Sequence, residues 1–176
     1  MEKNKTITYP NLLGIAAVRG GSSWLYNILK SHPQIETPKF RKEIQYFTKY
    51  YNKSEAWYLN YFKSFSYSNA KYIGEFTPGY LSNPNAPERI YNFGKIEKFI
   101  LILRNPIKRT FSQYLWNLNN NPDKADKPSF EKFYKTKHHI AIENSLYFKH
   151  LKRYLELFDR NKFLILIFEE CISDHE

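Results

Sequence analysis

Residues 19–24 read RGGSSW, an arginine followed by two glycines, two hydroxyls and a tryptophan. Glycines let a backbone approach a phosphate closely. A helix that starts just after them offers unpaired amides and the positive end of its dipole, and Arg19 adds a fixed charge. Arg19, Gly20, Gly21, Ser22 and Ser23 therefore read as an anion cradle, although two glycines after a strand also make an ordinary tight turn. The Gly-Lys-Ser/Thr ending of a magnesium-nucleotide loop is absent, which argues against a triphosphatase. A second run, LILRNPIKRTFSQY at 101–114, places Arg104 and, two helical turns on, Ser112 where they can converge on one anion. Taken singly, Arg104 is a surface charge at a helix start and Ser112 an ordinary helix serine. In a third run, KEIQYF at 42–47, Glu43 precedes two aromatics. A carboxylate with an apolar surround has its pKa raised and suits a general base. On composition alone Glu43 is a surface carboxylate paired with a nearby lysine.

These residues need a frame that gathers strand ends. Residues 12–18 (LLGIAAV) are a continuous apolar run, as expected for a strand buried on both faces, and the glycine turn at 19–21 follows. Leu25, Ile28 and Leu29 recur at helical spacing over 22–29, with the serine pair supplying an amino-terminal cap. Two more buried strands are predicted at 99–103 (FILIL) and 163–168 (FLILIF), and a weaker one at 72–75. Helices are predicted at 88–93 after Pro87, at 107–118 after Pro106, and at 144–158, where Leu151, Leu155 and Phe158 share one side. Strands alternating with helices imply an α/β layered fold. Residues 119–129, rich in Asn, Asp, Lys and Pro, read as a mobile loop.

At 176 residues the chain has the length of one domain able to fold without disulfides. The single cysteine, Cys171, has no internal partner, and no Cys or His stand at metal-ligand spacing, so neither a disulfide framework nor a zinc site is indicated. A reducing, cytoplasmic setting is expected, with no signal peptide or membrane span in the amino-terminal run. Net charge is +10, from 27 Lys plus Arg against 17 Asp plus Glu, which favours anionic partners; a general Lys and Asn bias explains part of it, and nucleic acid is not implied. The 15 Tyr and 14 Phe exceed the needs of a core, and some are expected to line a cleft for a planar base or sugar rings.

The run RGGSSW resembles the 5′-phosphosulfate loop of sulfotransferases that use 3′-phosphoadenosine 5′-phosphosulfate (PAPS), with Arg19 standing where most members carry Lys. Arg is a planar fork, so its contact to the leaving group is shared differently from that of a lysine. Arg104, Pro106, Arg109, Ser112 and Tyr114 match the family's 3′-phosphate motif at fixed spacing. KEIQYF is similar to the heparan-type glycan group, in which the glutamate at the Glu43 position deprotonates the acceptor; some members place His where Gln45 stands, and small-molecule members use a His base. GEFTPGY at 74–80 and APERI at 86–90 also resemble the glycan group, with Phe76 where many members have Lys, and with Thr77 and Tyr80 facing the cleft. A turn at Pro78 and Gly79 explains the same segment. NSLY at 144–147 matches a Gly/Ser-x-Tyr element expected to line the cleft.

The resemblance spans residues 12 to about 170. It implies a P-loop-like central parallel sheet with helices on both faces, in a single domain over 1–176 that lacks the family's usual carboxyl-terminal part. It further implies sulfuryl transfer from PAPS to a hydroxyl or amine of a glycan or small-molecule acceptor, releasing adenosine 3′,5′-bisphosphate. Glu43 would be the base and Arg19 the contact at the bridging oxygen. Arg19, Gly20, Gly21, Ser22, Ser23, Trp24, Arg104 and Ser112 would hold the donor, with Trp24 against the adenine or simply in the core. A small-molecule kinase and a noncatalytic basic binding module are the alternatives.

Overall fold

The computed structural model describes residues 8–63, 70–120 and 128–173; most of the expected mobile loop at 119–129 lies outside them. Five parallel strands form one sheet: β1 (Leu12–Ala16), β2 (Ile35–Glu36), β3 (Tyr72–Phe76), β4 (Lys98–Leu103) and β5 (Phe163–Ile167), in the order β2-β3-β1-β4-β5. Seven helices lie among the described residues: α1 (Ser22–Lys30), α2 (Glu55–Leu59), α3 (Ala86–Phe93), α4 (Pro106–Asn119), α5 (Phe130–Glu143), α6 (Tyr147–Leu155) and α7 (Phe168–Ser173).

Central β1 is buried at all five positions, as its unbroken apolar run predicts. Alternate residues serve opposite faces. Leu12 and Ala16 pack with Leu25 and Tyr26 of α1 and with Phe76, Ile100 and Ile102. Leu13 and Ile15 join a larger core with Phe99, Leu101, Ile90 of α3 and Tyr154 of α6. Helices thus cover both faces. Gly14 is required by close approach: a Cβ there would collide with the Phe76 ring. The aromatic excess resides mainly in this core, not in the cleft. Tyr46 stacks on Tyr58 at 4.4 Å and Phe99 on Phe163 at 4.6 Å, and Phe47, Phe93 and Phe158 pack edge-on around them.

Three elements depart from expectation. The strand predicted at 163–168 ends at Ile167, and only Phe163 is buried, because among the described residues β5 pairs with β4 alone and lies at the sheet edge. The helix predicted at 144–158 is shorter: α5 ends at Glu143, a turn crosses Asn144 to Leu146, and α6 begins at Tyr147. The serine pair does not cap α1. The cap position is Gly21, whose φ of 101° is left-handed, and it makes no side-chain cap bond. By contrast, Asn105 caps α4 in the usual manner, accepting from the amides of Ile107 and Lys108, with Pro106 in the first turn.

β1 and β4 are neighbours from which the chain leaves in opposite directions across the sheet. A crevice therefore opens beyond their carboxyl ends, the place where open α/β sheets take ligands.

Candidate active site

The turn after β1 is built tightly. The Gly20 amide donates to Ala17 O at 2.8 Å, so this amide is used inside the turn and is not available to an anion as the sequence suggested. Arg19 takes φ 66°, a left-handed conformation that costs a non-glycine residue about 1–2 kcal/mol. A side chain on Gly21 would strike the Phe168 ring, so glycine is needed there for space as well as for φ. The first amides of α1 have no intrahelical partners, and Gly21, Ser22 and Ser23 line the cleft.

Arg104 sits just beyond β4. Its guanidinium donates to Arg19 O at 3.4 Å and lies 5.0 Å from the centre of the Phe168 ring. Its Nε is buried without a hydrogen-bond partner among the described residues. Tyr147 Oη donates to Arg104 O at 2.7 Å, which fixes the strand end. From α4, Ser112 Oγ accepts from Arg19 Nε at 3.4 Å. Trp24 meets Phe168 edge-on, with ring centres 5.8 Å apart. Arg109, five residues after Arg104, does different work. It is fully buried and donates to Val18 O at 3.2 Å, Ala141 O at 2.6 Å, Ser145 Oγ at 3.0 Å and Thr110 Oγ1 at 3.1 Å. Burial lowers its pKa, yet an arginine keeps its charge, so these acceptors are what stabilise it.

Glu43 lies on the cleft, 40% exposed, with Oε1 3.6 Å from Lys42 Nζ. The apolar surround expected for it is absent: Tyr46 and Phe47 turn into the core and leave the carboxylate at the rim. Its backbone is firmly held. Arg41 Nε donates to Glu43 O at 3.0 Å while Arg41 also reaches Tyr61 Oη at 3.0 Å. Next in sequence, the Ile44 amide donates to Glu75 Oε2 at 3.0 Å. Gln45 has φ 61°, and its amide donates to Thr77 Oγ1 at 3.3 Å.

Glu75 is fully buried and also accepts from Thr77 Oγ1 at 2.6 Å, Tyr80 Oη at 2.5 Å and Tyr58 Oη at 3.3 Å. Burial raises its pKa, and the four hydrogen bonds oppose that rise. Tyr80, expected in the cleft, is instead fully buried on this carboxylate; Thr77 does reach the cleft. Phe76 packs inward against Tyr26. Tyr147 and Ser145, also expected as cleft lining, instead hold Arg104 O and Arg109 from behind.

Both halves open on one cleft of about 620 Å³. Of the residues singled out in the sequence, Arg19, Gly21, Ser22, Ser23, Trp24, Glu43, Arg104 and Ser112 line it, and Gly20 supports it from within the turn. Sequence reasoning missed Phe168 and Trp116, which line the cleft, and the position of Lys42 against its serines. Lys42 Nζ lies 3.1 Å from both Ser22 Oγ and Ser23 Oγ. Phe168 had a usable signal, since it follows the carboxyl end of an apolar run just as Arg19 and Arg104 do.

Known proteins resemble this chain in sequence and in fold. A membrane-associated sulfotransferase, kil1, of Dictyostelium discoideum is 38% identical over 117 residues, covering 66% of this chain and 25% of that protein. The heparan sulfate glucosamine 3-O-sulfotransferase 3B1 of Homo sapiens is 30% identical over 173 residues, covering 94% of this chain and 43% of the relative. The chain thus spans half or less of the length of these curated relatives. A crystal structure of a sulfotransferase from Alicyclobacillus acidocaldarius superposes with a TM-score of 0.80 at 26% identity, covering 96% of this chain and 77% of that one. The family described as the sulfotransferase domain matches residues 10–176, and the chain belongs to it.

Proposed function

We propose that this domain transfers a sulfuryl group from PAPS to a hydroxyl or amine of a carbohydrate acceptor. The observation that carries the reading is the convergence of Arg19, Ser22, Ser23, Arg104 and Ser112 with the carboxylate of Glu43 on one cleft. The fit to a doubly anionic nucleotide is supported by the unpartnered Nε of Arg104, by the cationic Arg19, and by the open amino terminus of α1. The names of the heparan sulfate relatives support a glycan acceptor.

When bound, PAPS supplies the sulfuryl group and a phosphate leaving group. Arg19, the Gly21 amide, Ser22 and Ser23 hold the 5′-phosphate side; Arg104 and Ser112 hold the 3′-phosphate; Trp24 and Phe168 offer apolar faces to the base. Glu43 takes the proton from the acceptor hydroxyl or amine as the new bond to sulfur forms. The bond from sulfur to the bridging oxygen breaks, and its electron pair stays on the 5′-phosphate, facing Arg19. The protein's contribution is positioning and charge stabilisation.

The test is thermal stabilisation by adenosine 3′,5′-bisphosphate beside magnesium ATP. A ligand at a hundred times its Kd stabilises the fold by about 2.7 kcal/mol. A shift with the bisphosphate alone is expected, and Arg104→Ala with Ser112→Ala should abolish it. A shift with magnesium ATP alone would overturn the donor reading and revive the small-molecule kinase. Glu43→Gln should keep the shift and lose turnover by about a hundredfold or more.

A further inference from the structure

Lys42 stands in an electrostatically awkward place. Its ammonium is 3.1 Å from the hydroxyls of Ser22 and Ser23, the first two residues of a nine-residue helix whose opening turn holds no acidic side chain. A cation beside the positive end of a helix dipole is disfavoured, and Arg19 and Arg104 bring two more positive charges to the cleft that Ser22 and Ser23 line. The only carboxylate at Lys42 among the described residues, that of Glu43, is 3.6 Å away, and the side chain of Lys42 is just 19% exposed. Burial depresses its pKa, with Glu43 only partly opposing. Three like charges around a helix start repel one another, and an anion among them relieves that repulsion. The serine hydroxyls turn their lone pairs to Lys42, which leaves their hydrogens free to donate into the cleft.

We propose that Lys42 is a donor-binding residue: its ammonium contacts the 5′-phosphate side of the donor, alongside Ser22 and Ser23, where the leaving oxygen gains charge. The proposal rests on the donor reading of the cleft given above. It supplies from the 42–47 segment the compact, rotatable charge that the planar fork of Arg19 does not provide. It also makes the lysine a link between donor and base, because an anion that draws the ammonium releases the Glu43 carboxylate for the acceptor proton.

The experiment titrates folded wild-type chain and Lys42→Met with adenosine 3′,5′-bisphosphate and with adenosine 3′-monophosphate, which lacks the 5′-phosphate. The expected result is a tenfold or greater loss of bisphosphate affinity in Lys42→Met, with 3′-monophosphate affinity changed less than twofold. Equal bisphosphate affinity in the two proteins, or equal weakening of both ligands, overturns the proposal. Failure of the wild-type chain to bind the bisphosphate would overturn the donor reading itself, and this proposal with it. Lys42→Gln, which can still bond the serines but carries no charge, replaces Lys42→Met should that variant not fold, with the same expected losses.

Discussion

Two buried charges stand behind the cleft, one under each half, and neither has an ionic partner among the described residues. Arg109 lies beneath the glycine turn and ties Val18 to Ala141 and Ser145. Glu75 lies beneath the Glu43 segment and ties Ile44 to Thr77, Tyr80 and Tyr58. Each is neutralised by dipoles, but the two differ in kind. A guanidinium cannot shed its proton, so the donor-side support is the same at every working pH. A buried carboxyl can take one up, so the acceptor-side support is sensitive to pH.

The largest effect expected is from Arg109→Met, which removes the hydrogen bonds of a fully buried guanidinium to Val18 O, Ala141 O, Ser145 Oγ and Thr110 Oγ1. It should lower unfolding free energy by about 3 kcal/mol or more, read as a urea midpoint shift. A shift under about 1 kcal/mol would mean that the network is incidental. Glu75→Gln should cost less, about 1–3 kcal/mol, and its cost should vary with pH. The folded-state pKa of Glu75 is raised above its usual 4.5, so its stabilising contribution is full below about pH 4.5 and declines as pH rises through the folded value. The gap between Glu75→Gln and wild type should therefore narrow from pH 4.5 to pH 8. A gap that widens would show that the ionised form is the favoured one and erase the contrast with Arg109. The smallest effect belongs to Gln45→Asn: asparagine tolerates φ 61° better, and a gain of a few tenths of a kcal/mol in the same titration is expected.

The same contrast explains what could be read from the sequence. β1 and β4 were legible because a strand buried on both faces is apolar throughout, and the residues at their carboxyl ends were legible because the cleft must lie there. β2 was not, since two residues carry no period. Nor was α5: within FEKFYKTKHHIAIE its apolar side is broken by lysines and histidines, and of its described side chains only Phe133 and Ala141 are buried. Arg104 and Arg109 share one motif, yet only packing separates the residue in the cleft from the one in the core. Tyr80 was assigned to the cleft by resemblance, but its side chain turns inward, a direction that residue identity does not encode. Lys42 was legible only as a lysine near Glu43, because one lysine in a lysine-rich chain stands out only when its neighbours are known.

Phe168 fills the space that Gly21 leaves and holds Trp24 and Arg104 against its ring, so this side of the cleft joins residues far apart in sequence. During synthesis the glycine turn and α1 emerge early, but the surface they contribute stays open until β5 has docked and the turn into α7 has formed. Contacts this distant in sequence carry a large loop-closure entropy and form late. Affinity for nucleotide should therefore appear only after β5 has been made, and ligand capture on the ribosome would time the docking of that strand.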